Sequence, residues 1–190
     1  MKERRKISNK QIVTGLFSGI TKTILLGLIF TCIVFQLNTK TINPVRLAPQ
    51  EDKIAEIKAD LVDLSANLSK KDLHEVSKSI KIASDATKIN DKIITSVAYY
   101  ESRYNKNAKS SAGYRGIMQA TVHDIYEFPE VDIMRGAKKL EQWLQYRNGN
   151  LRIALASYNG GTYPPPSSYE YANRVIHLAK KLEGRRNQEI

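Results

Sequence analysis

Residues 98–105 read Ala98-Tyr-Tyr-Glu-Ser-Arg-Tyr-Asn105 and place one carboxylate, Glu101, near the end of a predicted helix. Apolar side chains at Ile93, Ile94 and Val97 follow a helical spacing, and Glu101 falls on the same inward face. A carboxylate on that face is desolvated, and the helix dipole disfavours its ionised form at the C-terminus. We therefore expect Glu101 to have a raised pKa, as a general acid near neutral pH requires.

Two further motifs follow Glu101-Ser102 along the chain. They are Ser110-x-Ala112-Gly113-x-x-Gly116-Ile117-Met118-Gln119 and Ala156-x-Tyr158-Asn159-x-Gly161. In this order and spacing the motifs resemble the soluble lytic transglycosylase domain, which has a lysozyme-like fold, from about Asp72 to about Glu183. The resemblance implies an all-α domain, and the sequence contains no long β-rich segment that would argue against one.

The resemblance also implies a reaction at Glu101. The carboxylic acid would protonate the glycosidic oxygen between N-acetylmuramic acid and N-acetylglucosamine in peptidoglycan. The carboxylate would then remove the proton of the C6 hydroxyl, so that a 1,6-anhydro ring closes without water. One residue would serve as acid and then as base.

The remaining site residues are carried over from the same resemblance. Ser102 resembles the serine beside the acid, Met118 an apolar wall of the cleft, and Gln119 a hydrogen-bonding group for sugar. Tyr158 and Asn159 resemble the pair that positions the N-acetyl group of the substrate. Tyr171 resembles the tyrosine whose hydroxyl orients the catalytic carboxylate.

The sequence differs from that of related lysozymes at a position that helps to distinguish transglycosylation from hydrolysis. Goose-type lysozymes share Gly-x-Met-Gln but place an Asp two residues later, where this chain has Thr121. No Asp or Glu lies between Ser102 and Thr121, which favours transglycosylation, whereas a hydrolytic muramidase would need a carboxylate such as Asp124 or Glu127. A catalytically weak wall-binding assembly module is a further alternative.

Composition limits the other classes of function. The 190 residues are 42% hydrophobic, which allows one ordinary domain with extensions, and the net charge of +11 favours polyanionic partners. Lysine and arginine are dispersed without a recognised binding motif, so no specific nucleic acid is expected. Cys32 is the only cysteine, and the three histidines lie far apart, so neither a cofactor nor a metal site is predicted.

The N-terminal region predicts a membrane anchor. Residues 1–10 are basic, and residues 11–39 contain Lys22 as the only charge. This pattern predicts a single-pass segment in the inner membrane, with the N-terminus in the cytoplasm and the C-terminal domain in the periplasm. A cleaved signal is the alternative, but no Ala-x-Ala-like site follows the apolar run. Wall turnover, a conjugation or secretion apparatus, and a phage particle, with its virion membrane, all fit this arrangement.

A short helical repeat follows the anchor. Apolar residues recur at intervals of three and four, at Ile54, Ile57, Leu61, Leu64 and Leu68. The seam spans about two heptads, and it suits a dimerising stalk and a helix lying on the catalytic domain equally well.

These patterns divide the chain into four parts. We predict a basic tail and anchor at 1–39, a linker and helical stalk at 40–71, the lysozyme-like domain at 72–185 and a tail at 186–190. Within the domain, Asp72 and Ser167 are predicted N-caps and Gly184 a helix end. A helix is predicted over Val131–Tyr146, with Met134 and Trp143 assigned to the core.

Overall fold

The computed structural model describes residues 48–64, 68–122 and 128–186, and these ranges hold six α-helices with only isolated β-bridges. The helices are α1 (Ala48–Leu64), α2 (Lys70–Thr87), α3 (Asp91–Ser102), α4 (Pro129–Tyr146), α5 (Leu151–Gly160) and α6 (Pro166–Arg186). The predicted all-α class is confirmed for this part of the chain. No helix within it is long and apolar enough to cross a membrane, and the predicted anchor at 1–39 lies outside the described residues.

Helix α3 is set by local capping at both ends. The Asn90 side chain accepts a hydrogen bond of 2.7 Å from the backbone N–H of Lys92, which fixes the start of the helix. Beyond the last turn, Arg103 adopts a left-handed conformation and its N–H donates to the Tyr99 carbonyl over 2.9 Å. Glu101 is therefore the penultimate residue of the helix, close to the C-terminus as predicted.

The inward face of α3 lies in the shared core of the domain. Helix α3 packs mainly against α6 and less against α2 and α4, while α2 packs along α4 and α5 along α6. Ile94, Val97 and Ala98 are fully buried in this core. The face that carries Glu101 is thus the buried face that the spacing predicts.

Helix α1 covers the domain with its apolar seam. Ile57 and Leu61 are fully buried in the same core as α3, and Leu64 and Leu68 pack against it. Lys53 of α1 also forms a salt bridge of 2.9 Å with Asp91. Of the two alternatives for this seam, the structure supports the helix lying on the domain. Self-association through these residues is not supported, because the seam is buried within its own chain.

The predicted N-cap of α2 and both predicted ends of α6 are wrong. Ser69 caps α2 in place of Asp72: its hydroxyl oxygen accepts from the Asp72 N–H over 3.0 Å, and its hydroxyl donates to the Asp72 carboxylate over 2.6 Å. Ser167 lies inside α6, which begins at Pro166, a residue suited to the first helical position. Gly184 does not end α6, which continues to Arg186.

Helix α4 begins two residues before the predicted Val131, because Pro129 fits the first turn. Ile133, Ala137 and Leu140 on its inner face are fully buried. The backbone N–H of Gly149, at a φ of 78°, donates to the Leu144 carbonyl over 2.8 Å. Asn148 and Gly149, both at positive φ, close this helix after Tyr146, where it was predicted to end.

Candidate active site

Glu101 is partly buried and accepts a direct hydrogen bond from another side chain. The Tyr171 hydroxyl donates to Glu101 Oε1 over 2.6 Å, and this tyrosine is itself buried in the core. Burial raises the pKa of Glu101 above its ordinary 4.5, although the Tyr171 hydrogen bond and the nearby Lys139 charge each act to lower it. The predicted direction of the pKa is confirmed, and its main physical cause is desolvation.

Glu101 faces a cleft of about 620 Å³ that is formed by α3, the loop after it, α4 and α5. Four of the sequence-predicted residues meet here: Glu101, Gln119, Tyr158 and Asn159 all line the cleft. Tyr171 joins them through its hydrogen bond to Glu101. A saccharide entering this cleft would therefore contact the carboxylate and several polar side chains together.

Ser102 and Met118 do not line this cleft. The Ser102 hydroxyl donates to the Ile117 carbonyl over 2.8 Å, and its side chain borders a separate cavity. Met118 is fully buried, because it packs directly against Gly136 of α4, where even a Cβ atom would overlap the methionine side chain. The prediction that Met118 is a cleft wall is wrong; its carbonyl instead accepts the Tyr158 hydroxyl over 2.7 Å.

The loop between α3 and α4 is held in place by Asp132, which sequence reasoning missed. One carboxylate oxygen accepts a hydrogen bond from the Ile117 backbone N–H. Burial raises the pKa of Asp132, while its hydrogen bonds to the Ile117 and Met118 backbone oppose that rise. Gly116, at a φ of 84°, approaches so closely that a Cβ would collide with this carboxylate. Asp132 thus fixes the backbone that carries Gln119.

Gln119 and Asn159 are partly committed to protein contacts. The Gln119 side-chain amide donates to the Gly116 carbonyl over 2.7 Å and to the Ala108 carbonyl over 3.2 Å. Asn159 Oδ1 accepts the Ser168 hydroxyl over 2.9 Å. These bonds fix both side chains at the cleft surface, which lowers the conformational entropy that they lose when a ligand binds.

Two residues of α4 that were not predicted as site residues complete the cleft wall. Lys139 lines the cleft with its Nζ 4.6 Å from the Tyr158 ring centroid and 5.3 Å from that of Tyr114. Trp143, one helical turn later, packs against the core as predicted, but it is only partly buried and lines the cleft as well. The four-residue spacing was the available signal, since it places both side chains on one helix face.

No second carboxylate lines the cleft among the described residues. Asp132 lies beneath the loop, and Asp124 and Glu127, the candidates for a water-activating group, fall outside the described residues. The described residues also hold no cluster of three or more His, Cys, Asp or Glu able to bind a metal ion. The groups that can act chemically here are one protonatable carboxylic acid, its tyrosine partner and a lysine.

Comparison with known families agrees with this arrangement. The family model for the transglycosylase SLT domain matches residues 78–174, just over half of the chain, and spans Glu101, the glycine-containing loop, Lys139 and Tyr171. The family's members are peptidoglycan lytic transglycosylases. The chain therefore belongs to the transglycosylase SLT domain family, whose activity is directed at peptidoglycan.

Proposed function

We propose that this chain cleaves the bond between N-acetylmuramic acid and N-acetylglucosamine, with Glu101 as the only acid and base. The observation that carries the proposal is the Glu101–Tyr171 pair in a cleft without a second carboxylate among its described residues. Burial raises the pKa of Glu101 and so favours the protonated acid, which is the form that donates to a leaving oxygen. Trp143 offers a flat apolar surface on which a sugar ring can stack.

The reaction proceeds in two proton transfers. In the first, Glu101 gives its proton to the glycosidic oxygen as the bond from that oxygen to the anomeric carbon breaks. The carbonyl oxygen of the sugar's own N-acetyl group supports the anomeric carbon. In the second, ionised Glu101 takes the C6 hydroxyl proton while O6 bonds to the anomeric carbon. The 1,6-anhydro product forms, Glu101 is protonated again, and no water is consumed.

Tyr171 and Lys139 suit the second transfer. Both lower the pKa of Glu101 against the effect of burial, so the carboxylate is not held permanently protonated. An acid that must become a base in one cycle needs a pKa between that of a free carboxylate and neutrality.

Analysis of the products tests the proposal. The full-length protein is incubated with peptidoglycan in ¹⁸O-labelled water, and the fragments are analysed by mass spectrometry. We expect 1,6-anhydro ends, lighter by one water than hydrolysis products, without label. Labelled reducing ends would reject the proposal in favour of a muramidase, and intact strands would support the wall-binding module.

We further propose that the enzyme acts from the inner membrane on the periplasmic wall. The basic residues 1–10 and the apolar run of 11–39 support this topology. A periplasm-dependent reporter fused after Ile190 should be active, and the protein should sediment with membranes. A soluble form that begins near residue 40 would contradict an uncleaved anchor.

A further inference from the structure

Lys139 brings a positive charge into the cleft without an anionic partner at contact distance among the described residues. Its side chain is half-buried, and its ammonium lies over the rings of Tyr158 and Tyr114. Burial lowers the pKa of Lys139, and the charge of Glu101 opposes that effect. The ammonium is therefore partly desolvated, and the two aromatic faces hold it in position.

The neighbouring Lys138 has the arrangement that is usual for a lysine on a helix surface. Lys138 is more exposed and forms a salt bridge of 2.9 Å with Glu141 on the same helix. Lys139 points instead into the cleft, where its N–H groups have no described acceptor. A partly desolvated ammonium gains most from an ionised acceptor, because charge-assisted hydrogen bonds are about twice as strong as neutral ones.

Resting on the proposed function, we infer that Lys139 binds a carboxylate of the glycan and makes the cleft selective for acidic saccharides. Lys139 and Glu101 line the same cleft and interact electrostatically, so the bound carboxylate belongs to a sugar close to the reacting bond. N-acetylmuramic acid carries such a group on its lactyl ether. On strands without peptide stems, this lactyl carboxylate is free. Where a stem is attached, the lactyl group is an amide, and acidic residues of the stem are then the second source of a carboxylate.

Binding is measured in the Glu101→Gln background, which keeps the saccharide intact. Three glycans of equal length are compared by calorimetry: a stem-free strand with free lactyl carboxylates, the same strand with these groups converted to methylamides, and a stem-bearing strand. We expect the stem-free acidic strand to bind about ten- to a hundredfold more tightly than its methylamide, as for a hydrogen bond between charged groups. Adding Lys139→Met should remove this preference, whereas Lys139→Arg should preserve most of it.

Lys138→Met is the matched control and should leave the preference unchanged. If the stem-bearing strand alone shows the Lys139-dependent gain, the carboxylate comes from the stem and the inference stands. Equal binding of all three strands, or equal weakening of all three by Lys139→Met, overturns it. Failure of the proposed function is a separate result: the native protein would then release no anhydro product, whatever the binding preference.

Discussion

The two ends of α3 hold charged side chains in opposite ways. At its N-terminus, Lys92 is almost fully buried and forms ion pairs with Glu56 and Asp60 of α1. Burial alone would lower the pKa of Lys92, but hydrogen bonds to these carboxylates raise it above its usual 10.5. At the C-terminus, Glu101 contacts a neutral tyrosine and has no ion pair among the described residues.

Because of this difference, the charge of Lys92 stabilises the fold, whereas the carboxyl group of Glu101 is suited to proton transfer. The paired Lys92 joins α1 to α3 and stays ionised over the whole physiological range. Glu101 is left with a desolvated carboxylate whose protonated form is favoured by the fold. Destabilising the ionised form in this way is costly for folding, but it makes a proton available to a substrate.

The largest effect is expected from Glu101→Gln, which keeps the size of the side chain but removes the transferable proton. Since general acid–base catalysis contributes about 10²–10⁴-fold and Glu101 performs both transfers, we expect a loss at or above the upper end. The measurement is release of soluble fragments from purified peptidoglycan, with circular dichroism as a control of folding. Activity equal to that of the native protein would remove Glu101 from the mechanism.

The opposite end of the helix is tested by Lys92→Met. Removing the buried cation leaves the buried carboxylate of Asp60 without its partner, whereas Glu56 keeps its salt bridge of 3.3 Å with Lys53, so we expect a loss of about 3–5 kcal/mol in the free energy of unfolding. The loss should shrink in acid, because protonated carboxylates need no counter-charge. Urea unfolding at two pH values measures it, with exposed Lys138→Met as the control. A change as small as that of the control would show that the buried pairs contribute little.

Tyr171→Phe removes the hydrogen bond to Glu101 and should have a moderate effect. Loss of one hydrogen bond to a carboxylate corresponds to about a tenfold decrease in kcat/KM. Because this bond lowers the pKa of Glu101, its removal should raise that pKa further. The protonated acid then persists to higher pH, so the alkaline limb of the pH–rate profile should shift to higher pH.

Tyr100→Phe is the control for this change, since Tyr100 packs beside Tyr171 but donates no described bond to Glu101. An unchanged alkaline limb in Tyr171→Phe would contradict the assignment of Glu101 as the acid that Tyr171 orients.

The smallest expected effect is a change in thermal stability, because the ionised Glu101 carboxylate destabilises the folded state. Its pKa in the folded chain exceeds the ordinary 4.5, so the folded state holds this proton more tightly than the unfolded state does. Stability therefore falls as the pH rises through these values. Glu101→Gln should have a higher Tm than the native protein at pH 7, and the difference should shrink below about pH 4. A lower Tm at pH 7 would show that the carboxylate stabilises the fold, as Lys92 does.

Local patterns in the sequence carried the prediction of α3 and of Glu101. Three features of α3 depend only on neighbours within a few residues. They are the cap at Asn90, the spacing of Ile94 and Val97, and the helix end after Ser102. The direction of the Glu101 pKa followed from the same face, because a buried face desolvates any carboxylate that it carries.

Contacts between distant segments explain what was missed. The spacing of Ile57 and Leu61 suits a dimer seam and an intramolecular face alike, and only their burial in the core distinguishes the two. Met118 lies in the core and not in the cleft wall, because Gly136 has no side chain to occupy that space. Lys139 lines the cleft because α4 packs across the loop.

The amino-acid sequence by itself determined the helical class, the position of Glu101 near the end of α3 and the choice of Glu101 as the acidic group, because periodicity and capping are local. The tertiary structure decided which side chains surround that carboxylate. Tyr171 lies far from Glu101 along the chain, yet its hydroxyl is 2.6 Å from the carboxylate. Lys139 and Trp143 reach the same cleft from α4. Their positions depend on how α4 and α6 pack around α3, and helix spacing alone does not specify that packing.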